Sequence, residues 1–226
     1  MERNDIGLKK RNKFCRSFLL IWVVICLACY SSINFYNRGV EKQERGDLDG
    51  AIADYTNAIK LDPQNADAYN NRGLARQKKG DLQAAMSDFT KATEINPQMT
   101  RSFHNRGDLK QLMGNLEGAL ADYSHTIELD PDHFNAYNNR GNVKAELDDL
   151  SGAISDYTKA IELKPDFSAA YYNRGIAWAE KEQFEQAIKD FEKVAQLDPD
   201  KRAEAEKQIE VCRTKLKKEH DQENAG

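Results

Sequence analysis

Apolar residues recur at intervals of three and four along most of the chain, in segments that end at glycine or proline. In residues 66–99 the second half carries an apolar stripe with the spacing of one helical face: Leu82, Ala85, Phe89 and Ala92. Gly80 and Asp81 provide a turn residue and a side-chain cap before that stripe, and Pro97 ends it. The pattern predicts two helices joined by a tight turn.

This unit occurs five times. The five prolines of the chain are 34 residues apart, at positions 63, 97, 131, 165 and 199. The tripeptide Asn-Arg-Gly recurs with the same period, from 37–39 to 173–175, and so does an alanine followed four residues later by an aromatic residue. A 34-residue period with two helices per unit is typical of a helical repeat array. One hairpin cannot bury its apolar stripe alone, so neighbouring hairpins must stack.

These marks resemble the tetratricopeptide repeat family. The matching positions include an aromatic residue early in each first helix and a close-packing glycine four residues later: Phe35 and Gly39, Tyr69 and Gly73, Phe103 and Gly107, Tyr137 and Gly141, Tyr171 and Gly175. The resemblance implies an all-α fold, a right-handed solenoid of five helix-turn-helix hairpins with a C-terminal capping helix. The sequence departs from the family where arginine, not leucine, precedes each glycine, and where Asp148 and Glu182 replace the inter-helix glycine.

The predicted boundaries follow the period. A basic leader (1–16) and a transmembrane or signal-anchor segment (17–31), expected to be one hydrophobic helix, precede the array. Five repeats (32–65, 66–99, 100–133, 134–167 and 168–200), a capping helix (201–218) and a polar tail (219–226) complete the chain. The capping helix is predicted from one apolar stripe: Ala205, Ile209, Cys212 and Leu216.

Residues 1–30 differ from the repeats in charge, because they carry six basic and two acidic residues while the remainder is acidic overall. The run from Phe18 to Tyr30 is apolar and uncharged. The uncharged window around it is long enough for one membrane span. We expect an uncleaved anchor with its N-terminus in the cytoplasm and the repeats on the far side, periplasmic in a bacterium.

Other readings of this segment remain open. Its apolar part has the length of a signal-peptide core, so the leader could be cleaved and the repeats exported. Cys29 follows Ala28 in a sequence that resembles a bacterial lipobox, which predicts acylation of Cys29 as an alternative. The run could also form a buried helix of a soluble domain.

Composition and motifs exclude several functions. The formal net charge of −4 argues against a nucleic-acid binder, which would usually be strongly basic. The chain has no phosphate-binding glycine loop, no H-E-x-x-H and no G-x-S-x-G, and its four histidines share no metal-ligand spacing. We therefore expect no enzyme activity, no catalytic residues, no cofactor and no metal.

An aspartate follows each recurring arginine by sixteen residues, which places both side chains at similar height in an antiparallel hairpin. We predict an ion pair, within or between repeats, that aligns neighbouring hairpins. The pairs are Arg38–Asp54, Arg72–Asp88, Arg106–Asp122, Arg140–Asp156 and Arg174–Asp190. The alternative is a row of arginines that binds an anionic ligand.

The asparagine before each arginine is the candidate binding residue: Asn37, Asn71, Asn105, Asn139 and Asn173. In tetratricopeptide arrays this position faces the concave groove, and the resemblance implies that the amides hold the backbone of an extended peptide, to which a carboxamide can both donate and accept. The other residues expected in the groove are Asn70, Arg101, His104, Asn138 and Tyr172. The alternative is that the amides contact only water or local backbone.

The sequence thus predicts a membrane-anchored, non-enzymatic adaptor or scaffold whose partner is an extended segment of another protein. The alternatives are a structural self-association module, in which exposed ends of the array pair two copies as a homo-oligomer, and an exported, lipoprotein-type assembly factor. No nucleic acid is expected as a partner.

Overall fold

The computed structural model describes residues 31–223, and in that range all regular structure is helical, which confirms the predicted all-α fold. Helix α1 covers 31–44. The following helices are α2 (Leu48–Leu61), α3 (Ala66–Lys78), α4 (Leu82–Ile95), α5 (Thr100–Leu112), α6 (Leu116–Leu129), α7 (Phe134–Glu146), α8 (Leu150–Leu163), α9 (Ser168–Glu180), α10 (Phe184–Leu197) and α11 (Arg202–Glu223). A 3-10 turn, Pro199–Lys201, precedes α11.

The chain divides into two compact units. The first ends at Met99 and contains α1–α4, and the second begins at Thr100 and contains α5–α11. In each unit the helices form antiparallel hairpins, and the second helix of one hairpin also packs against the first helix of the next. In the second unit α7 additionally contacts α5 and α9, so that the first helices form a row of their own.

Turn chemistry sets where the second helices begin. The side chains of Asp47, Asp81, Asn115 and Asp149 each accept a hydrogen bond from the amide three residues later, which satisfies one of the unpaired N–H groups at a helix start. The residue before the cap has a positive φ in all five turns. It is glycine in the first three, whereas Asp148 and Glu182 adopt φ of 65° and 59° in the last two.

Glu182→Gly is expected to raise the free energy of unfolding by about 0.5–1 kcal/mol, because a left-handed conformation is strained for a glutamate and free for glycine. Urea denaturation followed by circular dichroism measures the change. Asp148→Gly serves as the matched control, with a smaller gain expected because aspartate tolerates this conformation better. A loss of stability in Glu182→Gly would contradict the prediction.

An aromatic ring fills the interior of each hairpin. Tyr55, Phe89, Tyr123, Tyr157 and Phe191 are no more than 2% exposed, and each ring lies directly against the glycine of its first helix. At the C-terminal end α11 packs against α10 and buries Ala205, Ile209 and Cys212. The predicted capping segment 201–218 lies within α11, apart from Lys201 in the 3-10 turn.

Between residues 31 and 223, no helix is both long enough and apolar enough to cross a membrane. The predicted leader, the predicted membrane segment up to residue 30, and Cys29 lie outside the described residues.

Candidate functional site

Every repeat contains a bidentate ion pair between the arginine of its first helix and the aspartate of its second helix. In repeats two to five the Nε and Nη2 atoms of the arginine lie 2.7–3.0 Å from the two carboxylate oxygens. The pairs are Arg38–Asp54, Arg72–Asp88, Arg106–Asp122, Arg140–Asp156 and Arg174–Asp190. All five carboxylates are no more than 7% exposed, so each pair is largely desolvated at its anionic side.

A second cation, one helical turn after the arginine, contacts the same aspartate in the first four repeats. The contacts are 2.7–2.8 Å long and involve Lys42, Arg76, Lys110 and Lys144. Sequence reasoning missed this role, although the spacing of four residues between the two cations places them on one helix face. In the fifth repeat Trp178 occupies the position and packs into the core.

The arginines also join consecutive repeats. The remaining guanidinium nitrogen of Arg72 donates to Thr56 Oγ1 at 3.0 Å, that of Arg140 to Ser124 Oγ at 3.2 Å, and that of Arg174 to Thr158 Oγ1 at 3.0 Å. In these three repeats the guanidinium is bonded both to the aspartate of its own repeat and to a hydroxyl of the preceding repeat, which leaves it little capacity for an anionic ligand.

Arg38 is the most exposed of the five arginines, with 50% of its side chain in contact with solvent. Its hydrogen bonds nevertheless lower the pKa of Asp54, an effect that burial of the carboxylate opposes and the hydrogen bond from Lys42 reinforces. Asp54 therefore contributes to stability at neutral pH, and this contribution is lost in acid as the carboxylate takes up a proton.

We call the five asparagines that precede the arginines the ladder: Asn37, Asn71, Asn105, Asn139 and Asn173. In the second unit, Asn139 and Asn173 of the ladder donate hydrogen bonds to the preceding repeat. Asn173 Nδ2 donates to Asn138 Oδ1 at 3.1 Å and to Asn142 Oδ1 at 3.0 Å. Asn139 Nδ2 donates to Asp108 Oδ1 at 3.0 Å. Asn138 Nδ2 in turn donates to Asn139 Oδ1 at 3.2 Å, which connects the two asparagines of the same helix.

Buried tyrosine hydroxyls complete this arrangement. Tyr123 donates to Asp108 Oδ1 at 2.7 Å, and Tyr157 donates to Asn142 Oδ1 at 2.9 Å. Burial raises the pKa of both tyrosines, which keeps both hydroxyls protonated as donors. We call the connected set the rung network: Asp108, Tyr123, Asn138, Asn139, Asn142, Tyr157 and Asn173.

The rung network follows a rule that is visible within the sequence. Where the second helix carries phenylalanine, Phe89 or Phe191, the residue fifteen positions earlier is the apolar Leu74 or Ile176. Tyr123 and Tyr157 instead have Asp108 and Asn142 at that position, and these accept their hydroxyl protons. Tyr55 departs from this rule, because the residue fifteen positions before it is the apolar Val40 and its buried hydroxyl donates to Gln43 Oε1 at 3.2 Å instead. A buried hydroxyl requires a partner, and for Tyr123 and Tyr157 the residue fifteen positions earlier supplies it.

In the first unit the ladder is less connected. Asn71 Nδ2 donates to the hydroxyl of Tyr36 at 3.1 Å and Asn71 Oδ1 accepts from Asn70 at 3.2 Å, while Asn37 is exposed. Asn70 and Asn138 were expected to line the groove, but they are only 1% and 6% exposed. Asn71 and Asn139, which follow them on the same helices, are half-buried and accept hydrogen bonds from the buried amides.

The remaining predicted groove residues are spread along the second unit. Arg101 is exposed in the first turn of α5, and Asn105 is half-buried on the same helix. Tyr172 donates to Glu204 Oε1 at 2.6 Å, and burial, reinforced by this carboxylate, raises its pKa to about 12.

His104 lies at the end of the rung network, with its side chain 16% exposed. Its Nδ1 is 3.4 Å from Asp108 Oδ2, and its ring centroid is 4.8 Å from that of His133. Burial lowers the pKa of His104 below its ordinary value; the carboxylate of Asp108 opposes this shift and His133 adds to it. The imidazole is therefore neutral at pH 7.

This histidine predicts a pH dependence of stability. Because the folded protein binds the proton more weakly than the unfolded chain, stability is expected to fall as the pH drops below about 6.5. His104→Asn, which introduces the residue found at the same position as Asn70 and Asn138, should flatten this slope in chemical denaturation between pH 7 and 5. His125→Asn is the matched control and should leave the slope in place; an unchanged slope in His104→Asn would contradict the assignment.

Across the part of the chain that the structure describes, no three histidine, cysteine or acidic side chains come together as metal ligands. What the site offers is a row of fixed, polar side chains on consecutive first helices.

Family profiles match most of the repeated region. The profile described as TPR repeat matches residues 43–80, 112–148 and 141–181, and the profile described as Tetratricopeptide repeat matches 66–99 and 168–201. A search of curated proteins found no match.

Several solved structures share the fold. The MamA protein is 25% identical over 76% of this chain and 94% of its own, with a TM-score of 0.69. YrrB, described as a TPR protein with an unusual peptide-binding site, is 26% identical over 75% of this chain and 87% of its own, with a TM-score of 0.65. The first TPR of Spaghetti (RPAP3), bound to the HSP90 peptide SRMEEVD, is 28% identical over 53% of this chain and 94% of its own, with a TM-score of 0.52.

Proposed function

Because the chain belongs to the tetratricopeptide repeat family, we propose that it is a non-enzymatic scaffold that binds an extended segment of a partner protein. The binding face is the row of first helices in the second unit, α5, α7 and α9. Peptide binding by two proteins of similar structure, YrrB and the RPAP3 domain, supports this assignment.

The observation that carries the proposal is the rung network. Its amide N–H groups are already bonded to the preceding repeat, so the asparagine side chains are held in place before any peptide arrives. Asn173 Oδ1 has no hydrogen-bond partner among the described residues, and Asn139 Oδ1 has one, so acceptor capacity remains on both. Backbone N–H groups of an extended peptide are the donors that would form hydrogen bonds with these two amide oxygens.

This geometry revises the chemistry expected of the ladder. Asn173 has both of its N–H groups engaged, so it acts toward a peptide as an acceptor only and pairs with a strand that presents N–H groups. Each such bond contributes about 0.5–1.5 kcal/mol net. Fixed side chains reduce the ordering cost that opposes binding, and we expect affinities of about micromolar Kd.

We further propose that residues 17–31 hold this scaffold at a membrane, with the N-terminus cytoplasmic and the repeats on the far side. The basic leader and the uncharged apolar window of the sequence support this. Fractionation of cells that express the full chain or residues 31–226 tests the anchor, and labelled palmitate on Cys29 distinguishes the lipidated alternative. Equal recovery of the full chain and of residues 31–226 in the soluble fraction would contradict the proposed membrane anchor.

A site-specific photo-crosslink tests the binding face. A benzophenone amino acid in place of Tyr172, which neighbours Asn173, should capture a discrete partner in cells from the source organism. The same amino acid in place of Glu162, which lies on the second helix α8 and is 60% exposed, is the control and should not capture it.

Two further variants decide the outcome. Asn139→Ala with Asn173→Ala should abolish the crosslink while circular dichroism shows the helices intact. A crosslink at position 172 only to a second copy of this chain would support the self-association module instead. A crosslink indifferent to both asparagines would overturn peptide capture by the ladder.

A further inference from the structure

A cavity of about 300 Å³ opens between α7 and α9, next to the C-terminal end of the rung network. Asn173 lines one end of it, and Ile176 and Ala177 lie one turn further along the same helix. The ring of Tyr157, which is 2% exposed, contributes to its wall. The volume is at the lower end of ligand pockets, so it suits a single side chain better than a larger ligand.

Two carboxylates stand at the opposite end of this cavity from Asn173. Glu146 ends α7 and Glu180 ends α9, and both are exposed. Glu146 accepts a hydrogen bond from Gln111, a neutral group. Among residues 31–223 neither carboxylate forms an ion pair, in contrast to the buried aspartates of every repeat.

The negative charge reaches the wall of the cavity. The pKa of Tyr157 is raised first by burial and then by the charges of Asp156, Glu180 and Glu146. Asp156 forms ion pairs with Arg140 and Lys144, which neutralise its charge. The negative charges near Tyr157 that have no cationic partner are therefore those of Glu146 and Glu180.

The acidic pair is also specific to this place in the array. Glu146 and Glu180 occupy the same position of consecutive repeats, and the three preceding repeats have Glu44, Lys78 and Leu112 there, so that no other two consecutive repeats both carry an acid. Two acids without an ion-pair partner therefore face the α7–α9 cavity. The corresponding positions of α5 and α7, one repeat earlier, carry Leu112 and Glu146, so that only one acid is present there.

We infer that this cavity accepts a lysine or arginine side chain of the bound segment, and the inference rests on the function proposed above. The aliphatic stem lies against Ile176 and Ala177, and the charged end lies between Glu146 and Glu180. Long basic side chains combine an apolar stem with a charged head in this way. Asn173 accepts from the backbone of the same segment, which sets the register between backbone and side chain.

The test begins with a phage library of random dodecapeptides, selected on the full-length protein in mild detergent. Recovered peptides are expected to share one basic position. A synthetic copy of the strongest binder, and a copy with norleucine in place of that lysine or arginine, are then titrated by fluorescence anisotropy. Norleucine keeps the stem and removes the charge, and we expect it to weaken binding about fivefold.

The protein is varied in the same experiment. Glu146→Gln with Glu180→Gln should weaken the basic peptide by the same factor and leave the norleucine peptide unchanged. Glu128→Gln with Glu162→Gln, which removes two exposed charges from second helices, is the matched control and should change neither. The difference in affinity between the basic peptide and the norleucine peptide should become smaller with added salt, as expected for exposed charges.

The outcomes separate the two proposals. Peptides that crosslink at position 172 but show no basic preference, or whose preference survives Glu146→Gln with Glu180→Gln, overturn the basic pocket and leave peptide binding standing. Recovery of no peptides, or only of peptides that do not crosslink at position 172, overturns the proposed binding face and the pocket with it.

Discussion

Replacing Asp156 with alanine is expected to lower the free energy of unfolding by about 3–5 kcal/mol, the cost of breaking a buried ion pair. The carboxylate is 5% exposed and holds two cations, Arg140 at 2.7 Å and Lys144 at 2.8 Å. The arginine and lysine side chains are themselves only 19% and 22% exposed, so the alanine variant leaves two poorly solvated charges without an anion.

Urea denaturation followed by circular dichroism measures this loss. Adding Lys144→Met to Asp156→Ala should recover part of the stability, because it removes one of the two stranded charges. Asp54→Ala is the comparison within the same protein and should lose less, since half of the Arg38 side chain is already solvated. A loss below about 1 kcal/mol for Asp156→Ala would show that the pair is not effectively buried.

Gly141→Ala is expected to destabilise the protein by about 1–3 kcal/mol, the usual cost of overpacking a filled interior. The change inserts a Cβ atom 2.6 Å from Cε1 and 2.9 Å from Cδ1 of Tyr157. The ring cannot retreat without strain, because it is 2% exposed and its hydroxyl is bonded to Asn142. The loss should appear even though alanine favours a helix over glycine by about 1 kcal/mol.

A double-mutant cycle with Tyr157→Leu identifies the cause. In the leucine background the added methyl group no longer meets the ring, so Gly141→Ala should become neutral or stabilising. Thermal and urea melts of the four proteins supply the data. If Gly141→Ala destabilises both backgrounds equally, the cause is the helix backbone and not the ring.

Much of the fold could be predicted from the sequence because its determinants are local. The helix starts depend on a capping side chain such as Asp149 and on the residue before it, and the helix ends depend on proline. The register between Arg140 and Asp156 follows from a turn of constant length. Each of these features lies within one repeat, and each recurs in at least four of the five repeats.

The site was less predictable because it depends on distances between repeats. The residues that accept from Asn173 lie 31 and 35 positions earlier, and no pattern within one helix shows that they come within hydrogen-bonding distance. The burial of Asn138 likewise depends on how closely α7 approaches its neighbours. Glu146 and Glu180 were missed since they lie two turns beyond the asparagines, at the ends of their helices.

The rung network also bears on how the array can change in length. Asn139 and Asn173 find their acceptors one repeat upstream, so deletion of a whole repeat would give Asn173 a new acceptor instead of leaving it unpaired. Loss of residues 134–167 would bring Asn173 to the place of Asn139, where Asp108 is the acceptor. An excision of 34 residues would therefore keep a hydrogen-bond acceptor opposite Asn173. We expect the array to tolerate loss of a whole repeat at this point of the chain better than a deletion of another length.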